Sequence, residues 1–215
     1  MDFGALMFFT DYAISAVDLA KALEDRGFES VWAPEHSHIP TSRKTPFPGG
    51  GELPKRYYDA MDPFVSLTAA AVATTKLKLG TGVCLVQQRD PIQTAKLVVS
   101  LDQVSNGRFL FGVGGGFPQA ARRAIRYGDG WCPVGRTGSS LLDVLAKYRQ
   151  MARDAGRDPE TVPVTLFNPA EDEAELARYR GMGIARVVVM LLSEERDKTL
   201  PVLDRWATLI RRTAH

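Results

Sequence analysis

Apolar and polar positions alternate along the chain in blocks that predict strands and helices in turn. Residues 1–9 form an apolar, aromatic-rich run, and the apolar positions after Asp11 then recur at helical spacing as far as Gly27. Gly27 is typical of the residue just past a helix C-terminus, and the apolar segment 28–33 predicts the second strand. The chain therefore opens with a strand, a helix and a strand.

The same alternation continues along the rest of the chain. Two helices begin at the pairs Asp62-Pro63 and Asp90-Pro91, where Asp is suited to the N-cap and Pro to the first helical position. The predicted strands are 1–9, 28–33, 77–86, 108–113, 129–133, 162–167 and 185–191. The predicted helices are one between Asp11 and Gly27 and those at 62–75, 91–104, 118–127, 139–155, 171–182 and 197–212. The pattern thus predicts seven strands and seven helices.

Strict alternation of this kind indicates an α/β fold with a parallel sheet. Strands 77–86 and 185–191 are continuously apolar, as expected for a sheet that helices cover on both faces. An open doubly wound sheet and a closed TIM-type β/α barrel both satisfy the pattern. A dinucleotide-binding sheet would carry G-x-G-x-x-G after the first strand, but residues 8–13 read FFTDYA, which favours the barrel.

One segment, 37–60, interrupts the alternation. It is rich in Pro and Gly, with aromatic and charged residues between them. It follows the C-terminal end of the second strand, where ligand sites of α/β proteins lie. We therefore expect 37–60 to be an active-site loop.

The composition indicates one ordinary globular domain spanning 1–215, since 45% of the 215 residues are hydrophobic and 24% are charged. A core of that size needs no disulfide, so Cys84 and Cys132 are expected to be buried thiols in a reducing compartment, which predicts a cytoplasmic protein. The first residues carry no basic segment ahead of their apolar run, so we expect neither a signal peptide nor a membrane-spanning helix.

The charge is nearly balanced, with 27 Lys and Arg against 25 Asp and Glu and a net charge of +2. The basic residues are scattered, apart from Arg122, Arg123 and Arg126 within about one helical turn. Nucleic acid is therefore not an expected partner, whereas a small anion such as phosphate remains compatible.

Two ionisable residues, Glu35 and His36, follow the second strand directly. An imidazole there could exchange a proton with a substrate near pH 7, and a hydrogen bond that anchors the loop is the structural alternative. His38 lies two residues further on, but the His-x-His pair has no third ligand cluster to match it, so no metal site is predicted.

Two glycine clusters lie at predicted strand ends. Gly80 and Gly82 flank Thr81, where a bulge or a close backbone approach to a planar ring would explain them. Gly114–Gly116 precede the helix 118–127, where backbone N–H groups and the helix dipole can hold a phosphate, although a flexible turn would explain them equally well. Trp131 either packs a barrel layer or forms the wall of a ligand cavity.

Together these segments resemble the bacterial luciferase-like monooxygenase family, in particular its branch of coenzyme F420-dependent oxidoreductases. The matching stretches are GFESVWAPEHSHIP (27–40), DPFVSLTAAAVATTKLKLGTGV (62–83), RDPIQTAKLVVSLDQVSNGRFLFGVGGG (89–116) and ARRAIRYGDGWCP (121–133). The resemblance implies a β/α barrel with the flavin-like ring over the strand ends. It implies a non-proline cis peptide that backs the ring at about Gly82–Val83.

The resemblance also implies roles for individual residues. The expected catalytic residues are Glu35 and His36, which line the face of the ring, with His36 as the proton partner of the hydride step. The expected cofactor-binding residues are Thr81, Gly82, Val83, Gly114, Gly115, Gly116 and Phe117, the last three at the phosphate. Relatives form dimers beside the second and third strands, which implies a homodimer through helices 62–75 and 91–104.

The chain departs from the family pattern after Gly116. Relatives carry a further helix, an insertion and a strand before the ARRA helix, whereas here Gly116 runs directly into Phe117. About one β/α unit is therefore absent, which predicts a seven-stranded or incomplete barrel.

The expected function is hydride transfer between F420 and a small organic substrate. The alternatives are an FMN-dependent monooxygenase-like protein, a non-catalytic flavin- or F420-binding paralogue, and an open barrel of low stability that has lost an internal segment.

Overall fold

The computed structural model describes residues 1–42, 46–47, 50–112, 115–133 and 141–213. In these residues the strands are β1 (Asp2–Leu6), β2 (Ser30–Ala33), β3 (Lys78–Thr81), β4 (Phe109–Leu110), β5 (Thr165–Phe167) and β6 (Arg186–Met190). The helices are α1 (Ala16–Asp25), α2 (Pro63–Ala73), α3 (Pro91–Val104), α4 (Gln119–Tyr127), α5 (Leu141–Asp154), α6 (Glu173–Gly181) and α7 (Arg196–Thr213). Short 3-10 turns lie at Lys55–Tyr57, Val86–Gln88 and Pro159–Thr161.

All six strands are parallel and lie in the order β4-β3-β2-β1-β6-β5. The first strand pairs with both its successor and the last strand, so that Gly4 faces Ser30 on one side and Val188 on the other. A doubly wound dinucleotide-binding sheet does not pair its first and last strands in this way. The sheet is a parallel half-barrel of the TIM type, as predicted.

The described residues contain six strands rather than the predicted seven. In place of the predicted strand 129–133, Trp131 alone forms a parallel bridge with Val164. Trp131 accepts a hydrogen bond from the Thr165 N–H at 2.9 Å and donates to the Pro163 carbonyl at 2.8 Å. Glycines before Trp131 and a proline two residues after it disfavour a longer strand, because glycine weakens a strand and proline has no N–H to donate.

The other predicted strands are also shorter in the structure. Strand 1–9 ends at Leu6, strand 77–86 ends at Thr81 and strand 108–113 is reduced to Phe109–Leu110. The residues beyond β1 are apolar because they are buried under the loops: Met7, Phe8 and Phe9 are at most 5% exposed. An apolar run therefore marked burial and not the length of the strand.

The predicted helix starts are confirmed. Asp62 caps α2, accepting a hydrogen bond from the Phe64 N–H at 2.8 Å, and Asp90 caps α3 through the Gln93 N–H, also at 2.8 Å. Both helices have proline at the first position, where no N–H partner is needed.

Charged side chains occupy the N-terminal end of the barrel. Glu29 accepts two hydrogen bonds from Arg186, at 2.7 and 2.6 Å, and pairs with Lys78 at 2.9 Å. Burial alone would raise the pKa of Glu29, but the bonds from Arg186 and its charge outweigh this effect and lower it. These groups join the starts of β2, β3 and β6, opposite the end where the cavity lies.

An aromatic layer above these charges separates them from the cavity. Trp32, Leu6 and Val188 form a cluster against which Phe167 packs, and the Trp32 and Phe167 rings meet edge to face at 5.8 Å. A side chain at Gly80 would collide with the Trp32 ring. Gly80 is therefore explained by the space that Trp32 needs, and not by a close approach to a ligand.

Among the described residues, no helix combines the length and the apolar character needed to cross a bilayer.

Candidate functional site

A cavity of about 780 Å³ opens at the C-terminal ends of the strands. Its walls come from the ends of β1, β2, β3, β5 and β6, from the loop at Tyr57 and from the segment around Phe117 and Trp131. Its lining is mostly apolar and aromatic, as in most sites for small molecules or cofactors. Ligand sites of β/α barrels lie at this end.

The backbone at the end of β3 forms one wall. The Gly82–Val83 peptide bond is cis, as the family resemblance implies. The Gly82 N–H donates to the Ala33 carbonyl at 2.8 Å, and both Gly82 and Val83 line the cavity. A Cβ at Gly82 would come within 2.8 Å of the Leu6 Cδ1 and within 3.4 Å of Phe167 and Trp32, so the packing of these side chains requires glycine here.

His36 lies on the wall beside this backbone and is half-buried. Its ring is 5.1 Å from the ring of Tyr57, whose other neighbours are Phe8 at 4.5 Å and Phe47 at 5.5 Å between centroids. Burial lowers the pKa of His36 below its ordinary value, and the nearby charge of Glu35 offsets only part of this effect. The imidazole is therefore mainly neutral at pH 7 and can accept a proton.

Glu35 lines the same cavity but has both carboxylate oxygens engaged. Oε1 accepts from the Leu85 N–H at 2.5 Å and Oε2 accepts from the Arg89 Nε at 2.6 Å. Arg89 also donates to Asp62 at 2.5 Å, so the buried Glu35 carboxylate is linked through the guanidinium to the exposed N-cap of α2. This geometry supports a positioning role for Glu35, holding the segment after Val83 against the wall.

Cys84 is nearly inaccessible and packs beside this pair. Burial and the Glu35 carboxylate raise the pKa of its thiol to about 12, and it is therefore protonated and unreactive at neutral pH.

Thr81 does not reach the cavity. Its side chain is fully buried, and its hydroxyl donates to the Gly112 carbonyl at 3.0 Å and accepts from the Gly112 N–H at 2.9 Å. Thr81 therefore links the end of β3 to the segment after β4, which explains the residue without a ligand.

Only some of the predicted site residues before α4 line the cavity. Phe117 lines the cavity and its ring lies 5.9 Å from that of Trp131. Gly115 and Gly116 precede it but do not form part of the cavity wall. Gly115 has a φ of +142°, and a side chain there would meet the Arg123 guanidinium. Gly114 lies outside the described residues.

A family model described as luciferase-like monooxygenase matches residues 10–121, which is more than half of the chain. The chain belongs to this family. The resemblance found in the sequence is thereby confirmed.

Curated relatives of this luciferase-like chain are longer than it is. An uncharacterized protein of Mycobacterium tuberculosis (strain ATCC 25618 / H37Rv) is 36% identical over 154 residues, which cover 70% of this chain and 53% of that protein. The 5,10-methylenetetrahydromethanopterin reductase of Methanopyrus kandleri is 31% identical over 116 residues, covering 54% and 27%. The chain thus spans about half the length of the first of these relatives and about a quarter of the length of the second.

Solved structures confirm the fold. A monooxygenase, RslO1, from Streptomyces bottropensis matches with a TM-score of 0.73 and 15% identity, covering all of both chains. The coenzyme F420-dependent tetrahydromethanopterin reductase from Methanopyrus kandleri matches with a TM-score of 0.70 and 14% identity, covering 98% of each.

Of the predicted site residues of the luciferase-like chain, the structure brings Glu35, His36, Gly82, Val83 and Phe117 together around one cavity. Other residues that line the cavity were not predicted from the sequence. Tyr57 lies in the predicted loop 37–60, whose aromatic content was the only signal for it. Leu141 and Val144 of α5 and Tyr179 of α6 carry no local signal, because the same apolar positions would serve any buried helix face.

We predict that Arg89→Met lowers the free energy of unfolding by about 3 kcal/mol, because it leaves the buried Glu35 carboxylate without its cationic partner. Glu35→Gln in the Arg89→Met background should recover part of the loss, since the unpaired charge is gone. Urea unfolding of wild type, both single variants and the double variant measures this coupling. Arg178→Met, which breaks an exposed pair with Glu175, is the control and should change stability by less than about 0.5 kcal/mol. Additive effects at Glu35 and Arg89 would contradict the prediction.

We also predict a pH dependence of stability from His36. Because burial lowers its pKa in the folded state, the unfolded chain binds the proton first as the pH falls below about 6.5. The folded state therefore loses stability from about pH 6.5 downward, and His36→Asn should remove that part of the loss. Urea unfolding at pH 7.5 and 5.5 measures it, with the exposed His38→Asn as control. If His36→Asn and wild type lose the same free energy between these pH values, the prediction is wrong.

Proposed function

We propose that this protein is an F420-dependent oxidoreductase that transfers a hydride between the deazaflavin and a small organic substrate. The observation that carries the proposal is the cavity itself: an apolar chamber at the C-terminal ends of parallel strands, with the backbone of Gly82 and Val83 on one wall and the half-buried His36 beside it. The F420-dependent reductase of Methanopyrus kandleri, with the same fold, supports the choice of cofactor.

The residues present fit a flat, fused ring. The volume of about 780 Å³ lies within the range of cofactor sites, and Phe8, Phe117 and Phe167 provide apolar surface. Gly82 and Val83 add a stretch of backbone to the same wall. Backbone N–H groups of Gly115, Gly116 and Phe117 would hold the cofactor phosphate in this proposal.

The bound deazaflavin supplies hydride chemistry, since its ring is a two-electron carrier. The residues of the chain bind, orient and handle the proton. His36, mainly neutral at pH 7, would take or return a proton at an imidazole nitrogen. Glu35 holds the wall in place through Leu85 and Arg89, and the rings of Phe8 and Tyr57 keep water from the reacting atoms.

One alternative is an FMN-dependent monooxygenase-like reaction. The same cavity would accept an isoalloxazine ring, and the monooxygenase from Streptomyces bottropensis shares the fold at the higher TM-score of 0.73. The cofactor decides between these reaction classes, because a reduced flavin reacts with dioxygen and a deazaflavin reacts with it poorly.

A second alternative is a protein that binds the cofactor without turnover. Within the described residues the sheet ends at β4 on one side and at the Trp131 bridge on the other. We infer that the β/α unit absent after Gly116 would lie between these two edges. Side chains from that unit would then be missing from the cavity wall, which is the reason to test for turnover and not for binding alone.

For assembly we propose a homodimer through α2 and α3, as the family resemblance implies. Val65 and Val72, seven residues apart on α2, are 69% and 71% exposed, and Ile92 and Val99, seven apart on α3, are 81% and 51% exposed. Each pair shares one face of its helix and presents unpaired apolar surface.

We predict that wild type sediments as a dimer of the 23.6 kDa chain and that Val72→Glu shifts it to monomer, because a charge would be buried in the interface. Leu142→Glu, at an exposed apolar position of α5, is the matched control and should leave the dimer unchanged. A monomeric wild type, or a Val72→Glu variant that remains dimeric, would exclude this interface.

The proposed function is tested by titrating the purified protein with F420 and, separately, with FMN, following absorbance and fluorescence of the cofactor. We expect saturable binding of F420 in preference to FMN, and at least about tenfold weaker binding in Gly82→Ala, whose methyl group would displace the Leu6 side chain and so alter the cavity wall. Gly181→Ala is the control, since a Cβ there meets no neighbouring atom.

The other outcomes are equally informative. Binding of FMN alone would support the FMN-dependent alternative instead. Binding of neither cofactor would refute the proposal. If F420 binds, a substrate screen with the His36→Ala variant as control then separates an oxidoreductase from a non-catalytic binder.

A further inference from the structure

Arg56 lies at the rim of the main cavity, in the short turn Lys55–Tyr57. Its guanidinium carbon is 5.8 Å from the ring centroid of Phe8 and 5.6 Å from that of Tyr57. Both rings are walls of the cavity, so the cation is held at its mouth by two aromatic faces.

Arg56 also lines a second, more open cavity of about 390 Å³. This cavity lies between the segment after β1, the same turn and the segment after β6, where Ser193 and Glu194 line it. Arg56 therefore lies between the two cavities. The rings of Phe8 and Tyr57 that it contacts line the main cavity, and its own side chain lines the second.

The charge of Arg56 has no partner within the part of the chain that the structure describes. No carboxylate, including that of Glu194, lies within 4 Å of it, and its guanidinium makes no hydrogen bond. The adjacent Lys55 differs, since it pairs with Asp59 at 2.6 Å and lies over the Tyr12 ring.

Other partly buried arginines of the chain use their donors within the fold. Arg108 donates to the carbonyls of Ala71, near the end of α2, and of Leu77, just before β3, and Arg186 donates twice to Glu29. A guanidinium is suited to grip a carboxylate or phosphate with two parallel hydrogen bonds. At Arg56 that capacity remains unused beside a cavity.

We propose that Arg56 binds the anionic group, a carboxylate or phosphate, of the molecule whose ring or apolar part occupies the main cavity. The inference rests on the proposed function in so far as that cavity is the ligand site. Arg56 lies toward β1 and β6, whereas Gly115 and Gly116 follow β4 at an edge of the sheet. It is therefore a second point at which negative charge is recognised, and it selects acidic ligands. The anion could belong to the acidic side chain of the cofactor or to the substrate.

Two pairs of probes distinguish these sources. The first is F420 and its phosphate-free deazaflavin core, which lacks the acidic side chain. The second is 3-phenylpropionate and its neutral amide. Dissociation constants are measured by fluorescence for wild type, Arg56→Gln and Arg56→Lys, with Arg211→Gln on the exposed last turn of α7 as the matched control.

We expect Arg56→Gln to weaken the anionic member of one pair by about tenfold while the neutral member stays within about twofold, and Arg56→Lys to recover part of the affinity. The pair that responds identifies the source of the anion. Equal weakening of both members would show a merely structural role and overturn the inference. A wild type that does not prefer the anionic member of either pair would also overturn the inference. So would an Arg56→Gln variant whose preference for the anionic member is as large as that of wild type in both pairs.

Failure of the proposed function gives a different result. If wild type binds neither F420 nor its core, the F420 proposal falls, while the phenylpropionate pair still measures the effect of Arg56.

Discussion

Pairing of β1 with both β2 and β6 is the constraint on which the rest of the structure depends. In this sheet every pair of neighbouring strands is parallel, so all six strands point the same way. Their C-terminal ends therefore converge, although the strands themselves are only two to five residues long. The cavity is the space left where these ends meet, and Glu35, His36, Gly82 and Val83 line it from segments that directly follow a strand.

The two ends of the half-barrel are chemically different. At the N-terminal end, the Glu29 carboxylate pairs with both Arg186 and Lys78. The Trp32 layer lies above them, with Gly80 making room for its ring. The opposite end is lined by aromatic side chains and holds few polar groups, among them His36 and Glu35. Burial among these apolar side chains lowers the pKa of His36.

Ionic contacts do most of the positioning around the cavity. Glu35 and Arg89 are 54 residues apart in sequence, and their contact ties the wall at Cys84 and Leu85 to the N-terminus of α2 through Asp62. Arg56 shows the opposite condition, a cation beside two aromatic rings with no carboxylate within 4 Å in the part of the chain that the structure describes. The first arrangement is complete within the fold, and the second is the basis of the proposed anion site.

The sequence by itself determined the helix starts at Asp62 and Asp90, the parallel α/β class, the family, and the placing of His36 and Gly82 at strand ends. These depend on local chemistry: a capping carboxylate, a proline without an N–H, and the order of apolar blocks. Only the tertiary structure decided that the strand predicted at 1–9 stops at Leu6, that Thr81 turns to Gly112 and that both oxygens of Glu35 are occupied. An apolar run records that a segment is buried, but whether it is buried in a sheet or beneath a loop depends on neighbours distant in sequence. The partner of a carboxylate depends on them in the same way.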